Sequence, residues 1–233
     1  MEAKTVQKLR FLAGSVLIIS SVTHLIQLAI VGFEWHDIAA ATIGGLYGLL
    51  GILLLIFKDN KPLTFTGIVF PFIGGTLGFI RLISIEIGVH GTINWFIVWH
   101  LIADAIVVPS LFCYYISFTD MNRKEKLSFL SVVLLFIMGI MHILQLYYGV
   151  YLENIGLTIF GILYITIAVL LQSENNIKMF NEVAIYLLLI GAILDLFLFY
   201  YFVLNLFLIF FLIVDLIIVY LLIHINQTYY KEG

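Results

Sequence analysis

Charge is what this sequence has least of. Of its 233 residues only 11% are Asp, Glu, Lys or Arg, less than half of the roughly 25% carried by an ordinary soluble domain. So few charges cannot cover a water-soluble globule of this size, and disorder is excluded for the same reason. Cysteine is nearly absent too. Cys113 stands by itself, which excludes an intrachain disulfide and any cysteine-based metal or redox motif. A net charge of −3 leaves nothing to attract nucleic acid. The sequence also lacks a Gly-rich phosphate loop, zinc-ligand spacing, a Ser/His/Asp order and a lysine in its last apolar run. Hydrolase, nucleotide-binding and photoreceptor chemistry therefore have no residues to work with, and no catalytic set is expected.

What is present is apolar surface. Apolar residues make up 63% of the chain, with 20 Phe, 13 Tyr and only 3 Pro, and mean hydropathy is +1.16. A bilayer core of about 30 Å needs roughly 20 apolar residues of helix. On that scale eight spans are expected, at 11–33, 38–57, 63–89, 93–116, 127–150, 155–171, 182–203 and 204–225. The last two meet near Leu204 and Asn205, and fusing them would leave seven. The first span follows Lys4, Lys8 and Arg10 in the manner of a signal peptide. Its length and the absence of a small-residue cleavage site mark it instead as a retained helix.

The basic residues set an expected orientation. With eight spans and both termini cytoplasmic, ten of the eleven Lys and Arg residues fall on inner segments, as expected for short loops of a cell-membrane protein. The outer loops carry only Glu34, His36, Asp37, His90 and Glu153, a set too scattered to suggest a metal site. The Asn226-Gln-Thr sequon then faces the side where it is not glycosylated.

The two halves of the chain resemble each other. His24-x-x-Gln27 in span 1 recurs as His142-x-x-Gln145 in span 5, Gly44-x-x-Tyr47 as Gly161-x-x-Tyr164, and a lone Asp104 as Asp215. Arg81 falls opposite Asp195 in a similar alignment. An all-α protein of two tandem parallel four-helix repeats is expected, 1–117 and 127–233, joined by a cytoplasmic linker at 118–126. Units with an even number of spans insert the same way up. Gly44, Gly48 and Gly51, with Gly74 and Gly78, are read as helix-packing positions, and Pro71 and Pro109 as possible kinks.

Ionisable groups inside a bilayer are costly and mark function by default. Placed by the 1.5 Å rise of a helix, His24, Gln27, Arg81, His100, Asp104, His142, Gln145, Asp195 and Asp215 lie between the midplane and the outer surface, leaving the inner half almost bare. Ser20, His24 and Gln27 form one stripe, and His100 and Asp104 are one turn apart. Arg81 needs a carboxylate from Asp104, Asp195 or Glu86. These residues are the expected ligand- or proton-binding set of a transporter or channel-like protein acting on a small solute or proton between the two repeats. Two alternatives compete. One is a redox subunit reacting with quinol or holding haem b through a pair among His24, His100 and His142. The other is a non-catalytic subunit of a larger membrane complex, partnered by other membrane proteins as well as lipid.

Overall fold

A computed structural model of the chain describes residues 3–31, 35–89, 91–148, 151–172, 177–202 and 206–230. Glu34 and His90, and the side chains of His36, Asp37, Ser84, Glu86 and Glu153, lie outside what is described. Among the described residues the fold is all-helical, without strands: α1 (Ala3–Val31), α2 (Trp35–Ile56), α3 (Lys61–Arg81), α4 (Trp95–Phe118), α5 (Arg123–Leu144), α6 (Leu152–Gln172), α7 (Ile177–Phe202) and α8 (Leu206–Tyr229). All eight contain a stretch long and apolar enough to cross a membrane, and the chain is a multi-pass membrane protein. α7 and α8 are separate helices packed on one another, so the seven-span alternative falls away. α3 is extended by a π-helical stretch, Leu82–Ile87, and α5 by a 3₁₀ turn, Gln145–Tyr148. Pro71 and Pro109 sit inside continuous helices.

Three of the helices, α3, α4 and α5, begin at an asparagine that caps them. Asn60, Asn94 and Asn122 are extended, and their side chains accept from Leu63, Phe96 and Glu125 backbone N–H groups respectively. These bonds satisfy donors that the first helical turn leaves open. Glu125 returns a bond to the Asn122 N–H at 2.7 Å, closing a capping box. Because α5 begins at Arg123, residues 123–126 of the expected linker are helical.

The chain divides into two compact units, Met1–Asp120 and Met121–Gly233. In the first, α1 packs on α2 and α4, and α3 packs on α2 and α4. In the second, α5 packs on α6 and α8, and α7 on α6 and α8. Each unit is thus a ring of four helices. Its interior is dense, with Tyr47, Leu17, Leu54 and Leu111 fully buried in the first and Tyr164, Met138, Ile137 and Phe211 in the second. Apolar side chains such as Ile19, Leu49 and Ile102, or Ile162, Ile193 and Ile213, point outward. Helices apolar on every face are suited to lipid outside and packing inside.

Glycine sets the close contacts. A Cβ on Gly51 would meet the Gly14 carbonyl oxygen at 2.7 Å, and one on Gly139 would meet the Gly161 carbonyl oxygen at 2.6 Å. Gly48 lies against Ser21, and Gly44 against the His24 side chain. Gly78 makes only ordinary contacts, with Ile97 and Leu101.

Candidate functional site

In the first unit α1, α2 and α4 bring His24, Tyr47 and Asp104 together. The Tyr47 ring meets the His24 ring edge-on, centroids 6.0 Å apart, and its hydroxyl donates to Asp104 Oδ2 at 3.4 Å. In the second unit α5, α6 and α8 do the same with His142, Tyr164 and Asp215. Those rings are also edge-on, at 5.3 Å, and the hydroxyl donates to Asp215 Oδ2 at 2.9 Å. A glycine from the third helix of each unit makes room for the tyrosine: Gly74 abuts the Tyr47 hydroxyl, and Gly191 the Tyr164 hydroxyl. All six His, Tyr and Asp side chains are buried.

Neither carboxyl is fully satisfied. Asp104 Oδ1 and Asp215 Oδ1 are buried without a hydrogen-bond partner, as is Asp195 Oδ2 on α7. Counted from the matching glycines Gly74 and Gly191, Asp195 falls level with Gly78 rather than with Arg81. The pairing of Arg81 with Asp195 read from sequence is therefore out of step by three residues. Arg81 occupies the last turn of α3, half-exposed. Gln27 and Gln145 are both buried, and Gln145 Nε2 has no partner.

The histidines differ between units. His24 and His100 lie ring on ring, centroids 3.6 Å apart and 11° from parallel, and His100 Nε2 is 3.1 Å from Thr23 Oγ1. His24 Nδ1 has no partner. In the second unit the ring stacked on His142 is Phe211, at 4.1 Å, and His142 Nδ1 donates to the Met138 carbonyl at 2.8 Å. Haem ligation by two histidines needs the imidazoles on opposite faces of the macrocycle, their nitrogens aimed at the iron. His24 and His100 stack face to face instead, with no room for a macrocycle between them, and the pair does not fit haem b. Among the described residues no three His, Cys, Asp or Glu side chains converge to hold a metal ion.

Sequence reasoning left Tyr47 and Tyr164 out of the site, although both had been marked as repeat positions. Their recurrence, in the same order, with the His and the Asp of each half was the available signal. The end of the bundle expected to be bare also carries polarity. Arg10 is buried there, and its guanidinium donates to the carbonyls of Leu54 and Leu55 and, at 3.0 Å, to Gln7 Oε1. Tyr114 donates to Asp59 Oδ1 at 2.8 Å and accepts from the Asp59 N–H at 2.9 Å, holding Asp59 at a positive φ of 53°. In the second unit the Asn181 amide donates to Asn226 Oδ1 at 3.1 Å. Helix ends expose unsatisfied carbonyls and N–H groups, and hydropathy along the sequence does not register them.

The fold and the buried polar sets define a multi-pass helical membrane protein with ionisable groups inside its helix bundles. The chain matches no protein-family model, no curated protein and no solved structure.

Proposed function

We propose that this chain is a transport or permeation protein of the cell membrane, with both termini cytoplasmic. On this reading it is built from two copies of a four-helix unit, each carrying a protonatable site. The observation that carries the reading is the recurrence of one arrangement: an edge-on His–Tyr contact, a Tyr–Asp hydrogen bond and a carboxyl oxygen left bare, in α1, α2 and α4 and again in α5, α6 and α8. Recurrence of three residue types with their contacts and their glycine is poorly explained by packing. A structural ion pair would leave no oxygen idle, whereas a site that takes up and releases a proton or a small polar solute must offer one. Matching helix pairings in the two units support the duplication, and basic residues at the same end of each unit support the orientation.

The test is proton flux into liposomes loaded with a pH-sensitive dye, driven by an imposed pH step. The protein should collapse the gradient faster than protein-free liposomes do. The double substitution Asp104→Asn with Asp215→Asn should return the rate to the protein-free value. Unchanged flux in that variant would remove the two acids from the pathway.

A further inference from the structure

The two units are not equivalent, and the difference points to a guest. α1 and α4 are antiparallel neighbours in which His24 lies level with His100. By helical register Ser20, one turn back on α1, and Asp104, one turn on along α4, fall on the same side of that stack, where the Asp104 carboxyl also meets Tyr47 and Gly75. Ser20 Oγ, His24 Nδ1 and Asp104 Oδ1 are all buried without hydrogen-bond partners. The idle serine is unusual in this chain. Thr42, Thr76, Ser117, Ser131 and Thr166 each give their hydroxyl to the carbonyl four residues back, the ordinary way for a helix to absorb a hydroxyl in an apolar setting. Ser20 Oγ makes no such bond, while its own carbonyl accepts from Thr23 Oγ1 at 2.8 Å. Nor do Ser20 and Asp104 bond to each other. A buried polar group left unpaired costs about 1–3 kcal/mol, so three bare atoms within one turn of the stacked imidazoles call for a partner.

The second unit supplies the contrast. The residue one turn before His142 is Met138 where the first unit has Ser20, and the residue one turn before Asp215 is Phe211 where the first has His100. Met138 and Phe211 are fully buried, and His142 Nδ1 is satisfied by a backbone carbonyl. There apolar side chains stand where the first unit has Ser20 and His100, and Asp215 Oδ1 is the one counterpart of the three atoms that is bare.

We propose that the seam between α1 and α4 binds a small hydrogen-bond-donating cation of the ammonium type, held by Asp104, Ser20 and His24, and that the second unit has no equivalent site. The inference rests on the reading of Asp104 as part of a transport site and names the class of ligand for it. The chemistry of the three atoms selects the guest. A carboxyl oxygen, a hydroxyl and an imidazole nitrogen with its proton on the other ring nitrogen are three acceptors. An N–H donor satisfies them at about 2.9 Å each, and its charge offsets the buried carboxylate. Sodium and potassium are hard ions suited to cages of oxygen, and a neutral imidazole nitrogen is a poor ligand for them.

The experiment is thermal unfolding of the purified full-length protein in detergent at neutral pH. It compares ammonium chloride with equimolar potassium, sodium and tetramethylammonium chlorides. Ammonium should raise the midpoint in a saturable way, and the other three should not. Ser20→Ala should weaken the apparent affinity by about tenfold. Ser20→Met, which installs the residue the second unit already accommodates, should abolish the response in a protein that still unfolds cooperatively. Asp215→Asn should leave the response unchanged. An equal response to potassium, no response to ammonium, or a full response in Ser20→Met would each overturn the assignment. No proton flux above that of protein-free liposomes from the unaltered protein, with its ammonium response intact, would strike the transport reading and spare the site.

Discussion

Single residues in this protein are chosen by what they can satisfy where water is absent. Tyr47 and Tyr164 place an aromatic body in the core of each unit and deliver one hydroxyl to an acid from another helix, the amphipathic use for which tyrosine is suited. The Tyr164 bond is the shorter of the two, 2.9 Å against 3.4 Å. Removing its donor leaves both oxygens of a fully buried Asp215 bare. Tyr164→Phe should therefore lower stability by about 1–3 kcal/mol, and Tyr47→Phe by visibly less, in denaturation of the detergent-solubilised protein. Equal losses would mean that ring packing, not the hydrogen bond, is what matters at these positions.

At the scale of the element, helix ends decide where each span stops. Arg10, one of the basic residues from which the expected orientation is read, also makes contacts between helices. Its guanidinium spans from α1 to the last turn of α2, where the carbonyls of Leu54 and Leu55 have no helical partner. Positive charge at a helix C-terminus also complements the helix dipole. Arg10→Ala should speed amide exchange in the last turn of α2 and lower stability by about 1.5–3 kcal/mol, the range for bonds to a charged group. Arg10→Lys should recover only part, because lysine lacks the fork of donors. Asn122→Ala, which opens the capping box of α5, should cost about 1 kcal/mol and leave exchange in α2 untouched.

For the whole molecule, two four-helix rings account for how a chain so poor in charge can hold so many buried polar side chains. Each ring closes on itself, so a polar group on an inner face meets three other helices instead of lipid. The expected sidedness is open to a direct check. In a Cys113→Ala background, cysteines at Lys58, Lys124 and Lys178 should react with a membrane-impermeant maleimide from one side of inverted vesicles. Cysteines at Gly91 and Tyr151, both exposed and outside the helices, should react only from the other. A mixed pattern within either group would break the eight-span orientation.

Hydropathy and the spacing of basic residues were enough to define eight membrane helices, because a span has to be long and apolar whatever it packs against. Sequence recurrence was also enough to pick out His24, Asp104, His142 and Asp215, since polar residues stand out in an apolar chain. It could not say that Tyr47 and Tyr164 join them, because a tyrosine in such a chain is as often packing as chemistry. The alignment of Arg81 with Asp195 drifted because apolar segments fix a register only loosely, whereas Gly74 and Gly191 are pinned by contact with a hydroxyl. The stacked imidazoles of His24 and His100, and the idle Ser20 beside them, exist only once α1 and α4 lie side by side. Scarcity of charge made this a membrane protein from sequence alone. Which of its few polar atoms are left bare was decided by tertiary structure, because a hydrogen bond across helices depends on distances that no linear pattern contains.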